Sequence, residues 1–104
     1  MTDRKEIARL VDEELARANE IYPPFNSAHE GYAVILEEAE EMMAEIERAS
    51  RNIRRMWNRI KVDDENGVLL AANDAYTRML DAIAEAIQVT AMLKKAKNIN
   101  KQNN

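Results

Sequence analysis

Apolar residues recur at helical spacing in three long runs of the chain. The runs cover about residues 2–21, 28–60 and 68–97, and charged residues fill the positions between the apolar ones. No run contains proline, and none alternates in the way that a half-buried strand does. The pattern therefore predicts an all-α fold, in which two long helices form an antiparallel hairpin and a shorter helix precedes them.

Local signals separate the three predicted helices. Pro23 and Pro24 end the first one, because proline lacks an amide hydrogen and disfavours helical geometry in the residue before it. Ser27 and Glu30 match a capping box, which predicts the start of the second helix. The polar segment 61–67 ends in Asn-Gly and is predicted to be the hairpin turn.

The chain is long enough for one domain. We predict a single all-α domain over residues 1–97 and a flexible C-terminal tail over residues 98–104. Trp57 falls on the apolar stripe of the second helix and is predicted to lie in the core. A hairpin about 50 Å long with one shorter helix beside it leaves apolar side chains uncovered, so we expect a homo-oligomeric helical bundle.

Composition narrows the possible functions. The 104 residues include no cysteine, which excludes disulfides, thiolate metal sites and cysteine nucleophiles. The N-terminus is charged and no long apolar run follows, so we expect a soluble, cytoplasmic protein with no membrane partner. The net charge of −4 argues against a nucleic-acid partner, although the basic stretch 48–61 keeps that alternative open.

An acidic helix face is the first candidate for chemistry. Glu38, Glu41 and Glu45 are three or four residues apart, so they project from one side of the second helix. Carboxylate oxygens suit a hard cation, and Mg²⁺ accepts a few carboxylates while water and phosphate oxygens complete its shell. A solvated acidic surface is the alternative reading of this spacing.

The antiparallel hairpin brings a second segment close to these carboxylates. If the turn centres near residues 64 and 65, Glu45 lies at the height of Glu85 and Glu41 at the height of Val89, within about one turn. Glu85 lies opposite the main apolar stripe of its helix, so it meets the other carboxylates only if a second face is also covered.

Three lysines near the C-terminus are candidates for binding phosphate. Lys94, Lys95 and Lys97 are expected near the acidic start of the second helix, where they can neutralise a phosphorylated ligand. Lysines in a last helical turn also interact favourably with the helix dipole, which is the structural alternative.

Two segments carry a resemblance to a known family. The run His29-Glu30-Gly31-Tyr32-Ala33-Val34-Ile35-Leu36-Glu37-Glu38-Ala39-Glu40-Glu41, with the later run Ala84-Glu85-Ala86-Ile87-Gln88-Val89-Thr90-Ala91-Met92, resembles small phage and prophage proteins related to the MazG-like all-α nucleoside triphosphate pyrophosphohydrolases. In that superfamily a Glu-Glu-x-x-Glu motif and a later Glu-x-x-Asp motif bind magnesium. The resemblance covers about residues 28–97.

The resemblance implies a set of site residues. Glu37, Glu38, Glu41, Glu85 and Gln88 would be the Mg²⁺ ligands, with Glu38 and Glu41 also catalytic. Gln88 stands where the family has aspartate, and an amide oxygen brings no negative charge to the cation.

The sequence therefore predicts a MazG-like helical protein that binds a phosphorylated nucleotide or a nucleotide-derived molecule. Pyrophosphohydrolase activity with magnesium stays open because of Gln88. One alternative is a phage-type protein that sequesters a nucleotide signal without cleaving it. A second is a helical protein-protein interaction module that has no small-molecule site.

Overall fold

A computed structural model describes residues 2–99. It contains α1 (Arg4–Ile21), α2 (Ala28–Lys61) and α3 (Glu65–Ala96), and no strand occurs among the residues that it describes. The predicted fold class is confirmed, since α2 and α3 pack together as a hairpin and α1 contacts α3. Within the described part of the chain, no helix is both long and apolar enough to cross a membrane.

The N-terminus of α2 uses the predicted cap in a slightly altered form. The Glu30 amide donates to the Ser27 hydroxyl at 3.1 Å, as a capping box requires. The Glu30 carboxylate accepts from the Asn26 amide at 3.3 Å, one residue before the donor expected in that motif. The diproline segment thus leads directly into a capped helix.

The hairpin turn is shorter than predicted. Only residues 62–64 separate the two long helices, and α3 begins at Glu65 rather than near residue 68. Asp63 adopts a left-handed conformation with φ of 55°, which reverses the chain. The Asp64 carboxylate accepts from the Gly67 amide at 2.9 Å, so Asp64 caps α3 and includes Gly67 in its first turn.

The chain divides into two compact units. Among the described residues, the first unit comprises residues 2–40 and 85–99, and the second comprises residues 41–84. In the first unit, Val11, Phe25, Val89 and Ala91 are buried, so α1, the segment before α2 and α3 contribute to one apolar core.

Phe25 organises the core of the first unit. Its ring approaches Gly31 so closely that a Cβ at that glycine would lie 3.1 Å from the ring. The Lys95 ammonium lies 4.7 Å from the centre of the same ring, and Lys95 is only 3% exposed. This arrangement is a cation–π contact that holds a lysine inside an otherwise apolar core.

The end of the predicted C-terminal tail is only partly described. Asn98 and Ile99 follow α3 and are half-buried. A Cβ at Gly31 would lie 3.5 Å from the Ile99 side chain, so Ile99 approaches the start of α2. Residues 100–104, the rest of the predicted tail, lie outside the described residues.

The second unit is a helical hairpin whose buried residues are small. Its buried hydrophobic residues are Ala49, Ala71, Ala75 and Ala82, which lie along the seam between α2 and α3. Small side chains let two helices approach closely, but they bury little apolar area.

Large apolar side chains of the second unit lie outside this seam. Trp57 is 59% exposed, so the prediction that it lies in the core is wrong for the single chain. We define the apolar face as ten exposed residues. They are Met43, Ile46, Ile53, Trp57 and Ile60 on α2, and Leu69, Tyr76, Met79, Leu80 and Ile83 on α3.

The other side of the second unit carries an ion pair across the hairpin, together with one large exposed apolar residue, Leu70. Arg55 donates to Asp74 across the hairpin at 2.6 Å, and Asp74 directly precedes the seam residue Ala75. The apolar positions Tyr76 and Ile83 instead directly follow the seam residues Ala75 and Ala82. Because residues rotate by about 100° along a helix, the two sets lie on opposite sides of an antiparallel pair. Tyr76 and Ile83 therefore lie on the side of the hairpin opposite to the Arg55–Asp74 ion pair.

Candidate metal and phosphate site

Three carboxylates predicted from separate parts of the sequence lie together in the structure. One oxygen from each of Glu38, Glu41 and Glu85 lies within 4.8 Å of the other two. Glu38 and Glu85 are half-buried, and Glu41 is exposed. We call these residues the carboxylate cluster.

The helices determine how this cluster is assembled. Glu38 and Glu41 are separated by one turn of the uninterrupted helix α2, so their side chains point to the same side. Glu85 comes from α3, in the face that also carries the buried residues Ala82 and Val89. This second face of α3 is covered by the rest of the chain. The sequence pattern required such cover if Glu85 was to meet the carboxylates of α2.

The register of the hairpin differs from the prediction by about one turn. Glu85 meets Glu38 and Glu41, whereas Glu45 was expected at its height. The short turn, centred on Asp63 rather than near residues 64 and 65, moves every residue of α3 relative to α2. Glu45 is not part of the cluster.

Glu45 instead belongs to a group of charged residues within the second unit. Its Oε1 accepts from Arg48 at 2.5 Å, and its Oε2 is buried 3.8 Å from a guanidinium nitrogen of Arg78. A carboxylate between two arginines is already neutralised, so Glu45 is poorly suited to bind a cation.

The remaining metal ligands implied by the family resemblance occupy different environments. Glu37 is exposed and lies outside the group of three carboxylates. Gln88 is half-buried and follows Glu85 by one turn of α3, so it lies on the same side of that helix. Their role as metal ligands stays a prediction.

The spacing of the carboxylate cluster suits a hard divalent cation. Opposite ligands of Mg²⁺ are about 4.2 Å apart and those of Ca²⁺ about 4.8 Å, from bond lengths of about 2.1 and 2.4 Å. Oxygens within 4.8 Å of one another can therefore coordinate either ion after small side-chain rotations. Ionised carboxylates this close repel each other, and a bound cation relieves that repulsion.

The three predicted phosphate-binding lysines do not share one environment. Lys94 donates to Asp12 of α1, and Lys95 is buried against Phe25. Lys97 is exposed and, with Lys94 and Arg4, lines a groove of about 380 Å³ in the first unit. Only Lys94 and Lys97 are therefore placed to reach a ligand at the surface.

A second basic groove was not predicted as part of the site. Within the second unit, a shallow groove of about 380 Å³ is lined by Arg48, Arg51, Asn52, Arg55 and Arg78. Three of its arginines, Arg48, Arg51 and Arg55, belong to the basic stretch of the sequence, whereas Arg78 comes from α3. Their position was nevertheless encoded, because Glu41, Arg48 and Arg55 recur every seven residues and so lie on one side of α2.

Comparisons of the chain with protein-family models, with curated proteins and with solved structures give no match.

Proposed function

We propose that this protein binds a phosphorylated nucleotide or a nucleotide-derived molecule through a divalent cation held by Glu38, Glu41 and Glu85. The observation that carries the proposal is the meeting of these three carboxylates, whose oxygens lie within 4.8 Å of one another. Two of them are separated by more than forty residues of sequence from the third. Both motifs of the family resemblance contribute to the same cluster.

The arginine groove supports a phosphorylated ligand. Glu41 precedes Arg48 by two helical turns on one side of α2, about 10 Å along the axis. A cation at Glu41 would hold one part of a polyphosphate chain, and arginine guanidinium groups are suited to bind further phosphate oxygens. Magnesium would supply charge neutralisation and would orient an attacking water molecule if hydrolysis occurs.

Metal binding is the first part of the test. Thermal unfolding is measured with MgCl₂, with CaCl₂ and without a divalent cation. We expect Mg²⁺ to raise the melting temperature of the wild-type protein, and we expect Glu38→Gln and Glu85→Gln to abolish the increase. Glu40→Gln is the matched control, because Glu40 is exposed on the same helix and lies outside the cluster. An equal shift in all variants would show that the cations bind elsewhere.

Nucleotide binding and cleavage form the second part. The protein is incubated with Mg²⁺ and a panel of nucleoside mono-, di- and triphosphates and cyclic nucleotides, and both bound ligand and released pyrophosphate are measured. Pyrophosphate release that is lost in Glu38→Gln would identify a pyrophosphohydrolase. Tight binding with the ligand recovered intact would identify a sequestering protein. No binding of any member of the panel would contradict the proposal.

A substitution at Gln88 should strengthen Mg²⁺ binding, whereas the preceding substitutions should weaken it. Gln88→Asp adds a carboxylate at the position where the resembling family has one, so we expect tighter Mg²⁺ binding by about tenfold. If turnover is limited by the missing charge, the same variant increases the rate of pyrophosphate release. Gln88→Asn is the control. It shortens the side chain to the same length as Gln88→Asp does, but it keeps the neutral amide.

The source of phosphate recognition can be located by comparing the two basic grooves. We expect Arg48→Gln and Arg51→Gln to weaken nucleotide binding, whereas Lys94→Gln and Lys97→Gln leave it nearly unchanged. The reverse result would assign phosphate binding to the lysines, as the sequence predicted.

A further inference from the structure

We propose that the apolar face of the second unit is the contact surface of a homodimer, in which α2 of one chain packs antiparallel against α2 of a second copy. The proposal does not depend on the nucleotide site, because it uses different side chains. It identifies the face, the partner and the relative direction of the two helices.

The area of the apolar face is the first observation. Its ten side chains are between 39% and 68% exposed in the single chain. If each contributes about 100 Å² of apolar surface, the face presents on the order of 1,000 Å². The largest apolar patch of a typical monomer is about 300–600 Å², whereas a standard interface buries about 800 Å² from each partner. The apolar area of this face is therefore larger than that of a typical monomer patch and is comparable to one side of a standard protein–protein interface.

The charges along the outer edge of this face indicate what covers it. Glu40, Glu47, Arg54 and Lys61 are exposed and recur every seven residues, so they form a single row on α2. When two copies of α2 are antiparallel, Glu40 faces Lys61 of the second copy and Glu47 faces Arg54. The midpoint of both pairs along α2 falls between residues 50 and 51, beside Ser50. A second copy of this chain therefore matches the row at every position.

The apolar residues of α2 fit the same arrangement. Antiparallel packing about that point places Met43 against Ile60 of the second copy and Ile46 against Trp57. Each of these pairs is centred within about one residue of the centre of the charged pairs. The apolar and charged patterns thus specify one two-fold axis, which is the symmetry of an isologous dimer.

Packing α2 against α3 of the second copy is the competing arrangement. It would place the charged row of α2 beside Asn73, Thr77 and Ala84 at the outer edge of α3, none of which carries a charge. The two arrangements also differ in where the two α2 helices lie. They are neighbours in the proposed dimer and diagonal in the competing one.

The first experiment measures mass by sedimentation equilibrium of the full chain over a range of micromolar concentrations. We expect twice the chain mass of 11.9 kDa. Trp57→Glu should raise the dissociation constant by about 100-fold or more, because a two-fold axis repeats the substitution in both subunits. Tyr22→Glu is the matched control, since Tyr22 is 63% exposed but lies outside the apolar face. A wild-type protein that is monomeric throughout would overturn the proposal and leave the face to another protein.

The second experiment tests the position of the two-fold axis. The chain has no cysteine, so a single introduced cysteine reports one position. Ser50→Cys should form a covalent dimer with a short thiol cross-linker, because the two copies of this residue meet beside the axis. Asn58→Cys should not, since its two copies lie about 20 Å apart along the helices. A dimer in which Ser50→Cys fails to cross-link would contradict this arrangement.

The third experiment exchanges charges and leaves every residue of the apolar face in place. The Lys61 ammonium also lies 5.9 Å from the centre of the Trp57 ring, so Glu40→Lys is the single variant that tests the charge alone. Glu40 and Lys61 are 21 residues apart on α2, about 30 Å along its axis, so they cannot pair within one chain. Glu40→Lys and Lys61→Glu should each weaken dimerisation by about 3- to 10-fold, and the double variant should restore it. Glu47 and Arg54 are less informative, because they already lie 3.2 Å apart within one chain. A double variant as weak as the sum of the single ones would exclude the antiparallel pairing.

Discussion

The two compact units of this chain differ in which apolar side chains they bury. The first unit encloses Phe25, Val11 and Val89 among three helical segments. The second unit buries four alanines and leaves Trp57 and other large side chains exposed. A small number of large buried side chains stabilises a unit by itself, whereas an alanine seam brings two helices together with little gain in buried area. The single chain therefore leaves most of the large apolar side chains of the second unit exposed.

The largest difference between the units should come from truncating the aromatic core of the first. We expect Phe25→Ala to lower the free energy of unfolding by about 3–5 kcal/mol, because it removes a buried ring and leaves a cavity. The measurement is urea unfolding followed by circular dichroism. Tyr22→Ala, in the same loop but exposed, should change stability by less than about 0.5 kcal/mol. Equal effects would show that the loop does not anchor the first unit.

A smaller effect is expected at the alanine seam of the second unit. Ala71 is 0% exposed, so Ala71→Leu forces a larger side chain between two closely packed helices. We expect a loss of about 1–3 kcal/mol, measured by the same unfolding experiment. Ala84→Leu, at an exposed position of α3, is the control and should be nearly neutral. A stabilising Ala71→Leu would mean that the seam is looser than the structure indicates.

Two neighbouring substitutions in the turn of the second unit should change the stability of the protein in opposite directions. Asp64→Ala should destabilise the protein by about 1 kcal/mol, because it removes the side chain that caps α3. Asp63→Gly should stabilise it by about 0.5–1 kcal/mol, because glycine adopts the left-handed conformation without steric cost. Melting temperatures of the two variants provide the measurement. The same sign for both would contradict the assigned turn.

The smallest effect is a pH dependence on α1. A hydrogen bond from Arg9, together with its charge, holds the pKa of the Glu6 carboxyl below its ordinary value of 4.5. A lowered pKa in the folded state means that the contribution to stability is present above about pH 4.5 and disappears as the pH falls through the lowered value. Arg9→Gln should raise the Glu6 pKa back toward 4.5, as followed by NMR titration. Arg4→Gln is the control and should leave it unchanged.

Local pattern was sufficient for the helices and for part of the carboxylate cluster. The prolines, the Ser27 cap and the three apolar runs located α1, α2 and the hairpin to within a few residues, because these signals act between residues close in sequence. The spacing of Glu38 and Glu41 placed both carboxylates on one side of α2, and the resemblance identified Glu85 as their companion. The environments of Lys94 and Lys95 were not predictable in this way, since their partners Asp12 and Phe25 lie far from them in the sequence.

The choice of packing face depended on contacts between distant segments. Helix α2 carries two adjacent stripes at helical spacing, one that contains Glu45 and Ala49 and one that contains Ile46 and Trp57. Hydrophobicity alone favours the stripe with the larger side chains as the core, yet the chain folds with the stripe of smaller side chains against α3. That packing brings the helices close and sets the register in which Glu85 meets Glu38 and Glu41. A periodic sequence shows which stripes exist, but only the folded chain decides which stripe meets another helix, because that depends on shape and register across the hairpin.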